Sequence, residues 1–259
     1  YSSYVAGNSA GTAGGGIEAR PGPVTIEGSE IASNTTDSDA GAGVFVGEAG
    51  LVMSDSVVRD NATTISRGGG IHSSGPVDIL RSRIHDNRAG SSGGGVSMAS
   101  AGALIFDSEL FGNSAEEYGG AVYGDGADIA LIGSDIHGNS AYFGGGVATF
   151  PLGHVVTEDT RFVENEARFG GALWVSSLDM TASLVAANSA QASTGGIVAG
   201  DAHIVGSALL ANTAPGVGGS ALDSLGNTVV IESSCVAGND NPALTANFDP
   251  APSAVGNWW

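Results

Sequence analysis

The chain has 259 residues, a formal charge of −19 at pH 7, eight arginines and no lysine. So acidic a surface excludes nucleic-acid binding, which needs a basic groove to neutralise phosphates, and disfavours anionic membranes. Forty-three glycines argue against a helical architecture, because each Gly inside a helix costs about 1 kcal/mol relative to Ala, and no apolar run is long enough to span a bilayer as a helix.

From the first residues onward the chain repeats itself. Asparagines stand at Asn8, Asn34, Asn61, Asn87, Asn113, Asn139, Asn165, Asn188, Asn212 and Asn239, in steps of 26, 27, 26, 26, 26, 26, 23, 24 and 27 residues. A period of that length marks a stacked solenoid. Five residues before each Asn is a hydroxyl, from Ser3, Ser29 and Ser56 through Thr160 to Ser234. Three residues before each Asn is an apolar side chain: Val5, Ile31, Val58, Ile84, Leu110, Ile136, Phe162, Val185, Leu209 and Val236.

Within one unit the alternation has period two, as in Ser29 and Ile31, which is the spacing of one face of a strand rather than of a helix. After the Asn, a variable loop leads to a Gly-rich step and a second apolar run, as in Gly16-Ile17, Gly43-Val44, Gly70-Ile71 and Gly95-Val96. A third run alternates again: Val24 and Ile26, Leu51 and Met53, Val77 and Ile79, Ile129 and Leu131. The glycines supply corners, where positive φ or close backbone approach is needed. These features predict an all-β fold: a single-stranded, right-handed parallel β-helix of nine to ten coils, 23–27 residues each, with three short strands per coil. The hand follows from the general preference of parallel crossovers. Residues 1–259 are expected to form one β-helix domain. Ser3, Val5 and Asn8 already stand in the repeat register, so the segment is read as a fragment of a longer protein.

Stacking in register about 4.8 Å apart would turn each recurring residue into a continuous column. The Asn column is expected to chain amide to amide inside the coil, and the Ser column to serve a corner; a residue required in every coil belongs to the architecture rather than to one active site. Candidate contact residues must then be those that do not recur. Two positions before the ladder Asn stand Arg59, His85, Phe111, His137 and Val163 in consecutive coils, with Asp60 and Asp86 beside the first two. This column is a candidate sugar- or uronate-binding strip, or an acid–base set with Asp86 orienting His85; an ordinary solvated strand edge is the simpler reading. Tyr118, Tyr142-Phe143 and Phe169 occupy comparable positions in three consecutive coils and are expected to align on one flank as a partner or glycan contact.

No cofactor is required by any motif. The acidic surface is compatible with loosely bound calcium, with the Asp37 to Asp39 loop, Asp55, Asp60 and Glu116-Glu117 as the nearest approach to a hard-cation site, although no spaced Asp-x-Asp-x-Asp-Gly loop occurs. Cys235, the one cysteine, has no internal disulfide partner and is expected to point outward, being adjacent to the inward Val236.

The Gly-Gly-apolar step followed by apolar-x-x-Asn resembles the repeats of chlamydial polymorphic outer membrane proteins, and more broadly those of secreted right-handed parallel β-helix proteins, which often close on an Asn-Trp-Trp-Gly element similar to Asn257-Trp258-Trp259. The polymorphic family favours Phe in the second motif, where here only Phe162 complies, and none of the 259 residues is read as an outer-membrane barrel. The resemblance implies an extracellular or cell-surface location and a non-catalytic structural or adhesive role: a stalk, passenger or fibre subunit. Its partners would be a surface glycan or protein, or other copies stacked end to end. The alternative is a polysaccharide lyase or hydrolase on a pectate-lyase-like β-helix. Against it, Asn34-Thr35-Thr36-Asp37 and Gly153-His154-Val155 only approximate polygalacturonase-like motifs, and Arg59, Arg81, Arg83 and Arg88 are poor bases because Arg stays protonated.

Overall fold

In the computed structural model the residues described are 2–37, 40–215, 219–226, 228–240, 243–246 and 253–255. They contain strands and turns and no helix, and every strand pairing is parallel. Three sheets run along the rod. The first has ten strands, one for each apolar-x-x-Asn unit, from Tyr4–Ala6 through Glu30–Ala32 and Arg83–His85 to Cys235–Ala237. Its register places Ile31 on Val58, Val58 on Ile84, and so on along the axis. The third sheet carries two strand columns. One follows the Gly-rich step, as in Val44–Val46 and Val96–Ala99; the other holds the alternating run, as in Leu51–Ser54 and Val77–Leu80. In Leu173–Thr181 and Ile197–Val205 the two columns fuse into single nine-residue strands.

The second sheet lies in what the sequence presents as the variable loop. It consists of eight short strands immediately after the ladder Asn, from Ser9–Ala10 and Thr35–Thr36 to Ser140–Phe143, Glu166–Phe169 and Ser189–Ala190. The backbone leaving each Asn is held by the coil before it, as in Ser114 N–H to Asn87 O at 2.9 Å.

Ile31, Ile84, Leu110, Ile136 and Phe162 are fully enclosed, facing Leu51, Met53, Ile79, Ile105 and Leu131 across the interior. Burying each such side chain contributes roughly 1.5–3 kcal/mol. Two polar columns line the corners. From Asn34 to Asn212 each ladder Asn donates Nδ2–H to the Oδ1 of the Asn in the next coil and to a carbonyl in the coil before. Asn113 shows the pattern: Nδ2 to Asn139 Oδ1 at 3.0 Å and to Ile84 O at 2.8 Å, while its own Oδ1 accepts from Asn87 N–H and Nδ2–H at 3.1 and 3.0 Å. Both donors and both lone pairs are thereby used, which is what permits a polar side chain at zero exposure. The hydroxyl column works in the same manner. Ser82 N–H donates to Ser108 Oγ at 3.1 Å, and Ser108 Oγ–H to Phe106 O at 2.8 Å.

Both columns are entered through a left-handed residue. Asp60, Asp86 and Ala187 precede ladder asparagines at φ 55°, 56° and 54°, and Asp55, Arg81 and Asp107 precede ladder serines at 50°, 47° and 46°. At the third corner the demand is stricter. Gly93 adopts φ +66°, and a Cβ on the adjoining Gly94 would lie 2.4 Å from Gly120 O, so the coils can approach only where no side chain intervenes. The Gly-rich steps are corners, as their sequence indicates.

Candidate functional site

Two outward surfaces carry side chains that do not recur in every coil. On the first sheet the predicted column is present in register: Arg59, His85, Phe111, His137 and Val163 are successive cross-strand neighbours. The rings lie flat on one another, with His85 on Phe111 at 4.5 Å and 4°, and Phe111 on His137 at 5.1 Å and 2°. His85 Nδ1 meets Asp86 Oδ2 at 2.8 Å, the contact the acid–base reading requires.

The neighbouring charges, however, are tied to one another. Arg59 binds Glu30 through Nε at 2.7 Å and Asp60 through Nη1 at 2.5 Å. These carboxylates, through hydrogen bonds and charge, raise the Arg59 pKa above its ordinary value against a smaller opposing effect of burial. Arg83 Nε donates to Glu109 Oε2 at 2.8 Å while its guanidinium sits 5.1 Å over Phe111, and Glu109 Oε1 meets His137 Nε2 at 3.2 Å. Burial pushes the Glu109 carboxyl up, but the His137 and Arg83 hydrogen bonds and charges outweigh it and leave its pKa below the usual glutamate value. Arg161 closes on Asp135 at 2.9 Å in the following coils. The surface is a sheet face laced with cross-coil ion pairs, and His85 is held between Asp86 and a phenyl ring.

The second surface lies along the second sheet and the Gly-rich corner. Phe143 and Phe169 are register partners in the strands Ser140–Phe143 and Glu166–Phe169, and Tyr118 bridges to Phe143. Tyr118 stacks on Phe143 at 5.0 Å, and Phe143 on Phe169 at 5.3 Å. Tyr142 leans on Phe143 and Phe169 at 4.6 and 5.6 Å, and Trp174 on Phe143 at 4.8 Å. Tyr123 and Phe150 extend the group from Tyr118 at 5.5 and 5.7 Å. The predicted alignment of Tyr118, Tyr142, Phe143 and Phe169 on one flank is therefore present, although three of the four stand on short strands rather than in a loop. Tyr142 is exposed, and Tyr118, Phe143, Phe169 and Trp174 are half-buried. Within this group Tyr123 is enclosed, and burial raises its phenol pKa. Arg59 and His85 stand on the first sheet, so the six predicted contact residues fall on two surfaces rather than one.

Beside the aromatic corner runs an open groove of about 500 Å3, lined by Glu116, Ser140, Tyr142, Glu166, Arg168 and Gln191 with Ala115, Ala141 and Ala167 along its floor. Sequence reading missed Arg168 and Gln191. Their signal was available: Arg168 shares a register level with Tyr142 in the preceding coil and Gln191 in the next, and neither is an acid.

Of the carboxylates considered for calcium, Asp37 is exposed, and Asp55, Asp60, Glu116 and Glu117 are engaged by neighbouring side chains. Asp55 receives Arg81 through Nε and Nη2 at 3.0 and 2.8 Å, which lowers its pKa. Asp60 receives Arg59, Glu116 receives Arg88 at 3.2 Å, and Glu117 accepts from Ser91 Oγ at 3.1 Å. Among the described residues no three His, Cys, Asp or Glu side chains are grouped to hold a metal ion. Asp39 and the Asn257-Trp258-Trp259 element lie outside the described residues. Cys235 is a half-buried free thiol on the first sheet. Among the described residues no helix is long and apolar enough to cross a membrane. Comparison of the chain with protein-family models, with curated proteins and with solved structures returned no match.

Proposed function

We propose that this chain is a non-catalytic β-helix of the cell surface or extracellular space, a stalk, passenger or fibre segment that recognises its partner through the aromatic corner. The contiguous corner built from Tyr118, Tyr142, Phe143, Phe169 and Trp174 carries this reading. Aromatic groups that stack across coils gain about 0.5–1.5 kcal/mol per pair beyond their burial. A half-exposed run of them spanning three coils is, in addition, the kind of contiguous apolar patch that marks a recognition surface. The other non-recurring surface is occupied internally, by Glu30–Arg59–Asp60 and Arg83–Glu109–His137. The resemblance of the repeats to those of chlamydial surface passengers supports the location. End-to-end stacking of copies is a further partner mode compatible with a parallel solenoid.

The test is adhesion of the purified chain to a panel of cell surfaces and immobilised glycans, with Tyr142→Ala and Phe169→Ala variants. Loss of binding at unchanged circular dichroism is the expected result. Turnover of a polysaccharide that disappears in His85→Ala or Asp86→Asn would instead establish the lyase or hydrolase alternative.

A further inference from the structure

Among the described residues the charge pattern of the rod leaves one arginine without a carboxylate partner. Of the eight arginines, seven hold a carboxylate: Arg20 with Glu18, Arg59 with Glu30, Arg67 with Asp125, Arg81 with Asp55, Arg83 with Glu109, Arg88 with Glu116 and Arg161 with Asp135. Arg168 has none among the described residues. It lies instead over aromatic faces, 5.2 Å from the Tyr142 centroid and 5.7 Å from that of Phe169. Stacking of this kind orients a guanidinium by its plane and leaves the N–H edges free to donate.

Both acids of the adjoining groove accept a side-chain hydrogen bond from a residue other than Arg168, although Glu166, bonded by a neutral amide, keeps its charge. Glu116 accepts from Arg88, and Glu166 from Gln191 Nε2–H at 3.1 Å. Arg168 is thus the one arginine among the described residues with no carboxylate partner, a positive group in a chain of net charge −19. An unpaired, forked donor set on aromatic supports matches a carboxylate, which it can grip bidentately.

The shape narrows the ligand further. The lining residues come from four consecutive coils, Ala115-Glu116, Ser140 to Tyr142, Glu166 to Arg168, and Gln191. The groove therefore follows the rod axis for three coil spacings, roughly 14 Å at about 4.8 Å each, which suits an extended chain better than a single small molecule. Its other polar groups, Ser140, Glu166 and Gln191, are acceptors or two-way hydrogen-bonding groups suited to hydroxyls. An acidic peptide would set its carboxylates against Glu166 with no hydroxyl to offer.

We infer that the Arg168 groove binds an extended carboxylated oligosaccharide, with Arg168 holding one carboxylate, Tyr142 and Phe169 flanking the sugar ring, and Glu166 and Gln191 accepting or donating to its hydroxyls. This rests on the adhesive reading above and names its ligand class. The test is binding of the whole 259-residue chain to a panel of polygalacturonate, alginate, hyaluronate and sialylated oligosaccharides, to their carboxyl-reduced counterparts, and to poly-L-glutamate. Loss of one charge-assisted pair predicts binding weakened about ten- to hundred-fold, both on carboxyl reduction and in Arg168→Gln, with partial recovery in Arg168→Lys. Added salt should weaken the wild type more than Arg168→Gln. Equal binding of a polymer and its reduced form, no binding to any member, or unchanged affinity in Arg168→Gln would overturn the inference. So would tighter binding of poly-L-glutamate than of every polysaccharide. If Tyr142→Ala abolishes cell adhesion while Arg168→Gln does not, the groove assignment fails and the aromatic-corner reading stands.

Discussion

Asn113→Asp tests the amide column with almost no change of shape. The variant keeps the Oδ1 that accepts from Asn87 N–H and Nδ2–H, but replaces the donor with an oxygen facing Ile84 O and Asn139 Oδ1, now 2.8 and 3.0 Å away. At zero exposure an anion there would meet two lone pairs with no compensating donor, so the carboxyl stays protonated in the folded state and its pKa rises. One O–H can serve one of the two acceptors, and the other is left unpaired at about 1–3 kcal/mol. The unfolded carboxyl ionises near 3.9, so retaining the proton through pH 7 adds roughly 1.4 kcal/mol per pH unit, about 4 kcal/mol in all. The sign is opposite to that of an ordinary acid. Relative to wild type, the variant loses about 1–3 kcal/mol near pH 3.5 and roughly 5–7 kcal/mol at pH 7, and recovers as the pH falls. Urea unfolding of both proteins at each pH measures the difference, with Thr25→Asp, at an exposed strand position whose cross-strand neighbour is Val52, as a control that stays within about 0.5 kcal/mol. A pH-independent difference, or one under about 1 kcal/mol at pH 7, would mean that water reaches the amides and that the column is not what closes the corner.

Three further outcomes follow from individual residues. Phe162 is the largest fully enclosed side chain among the described residues, so Phe162→Ala should lower stability by about 3–5 kcal/mol in chemical denaturation, and Phe162→Leu by less. Ala187 enters the Asn column at φ 54°, where a Cβ is strained; Ala187→Gly should therefore raise stability by about 0.5–1 kcal/mol, read as a higher melting temperature. Glu109 has a lowered pKa, so its contribution is present above the unfolded value and is lost as the pH falls through the folded one. Glu109→Gln should cost no more than about 1 kcal/mol at pH 7, because the pair is partly exposed, and its melting curve should converge on wild type as the pH is lowered through and below 4.5.

The parts of this fold that were legible in the sequence are those where chemistry and period coincide. Asn34, Asn61 and Asn87 are recognisable because Asn is the shortest side chain that offers two donors and two lone pairs, so the corner repeats it in every coil. The enclosed Ile31, Val58 and Ile84 keep the same register because a strand face repeats every second residue. The short second sheet was hidden for the opposite reason. Thr35-Thr36 and Arg88-Ala89 are two-residue strands, too brief to show alternation, and their pairing is set by the Asn that precedes them rather than by their own composition. The left-handed entries were only half visible. Gly7, Gly112 and Gly138 announce positive φ before the ladder, whereas Ala187, Ala211 and Glu164 adopt it because the columns on either side impose it.

Surface chemistry was legible wherever partners sit one coil apart. Arg83 and Glu109, Asp135 and Arg161, and Asp55 and Arg81 are each separated by 26 residues and meet as ion pairs. Reading every charged residue against its neighbours one period away would have paired these and left Arg168 between Tyr142 and Gln191. In a solenoid the residue one coil away is a neighbour as close as any in a hairpin, so the absence of an acid at that level is as informative as its presence elsewhere. A rod whose corners are closed by identical columns can vary only its outward positions, and there the exceptional residue marks what the surface is free to bind.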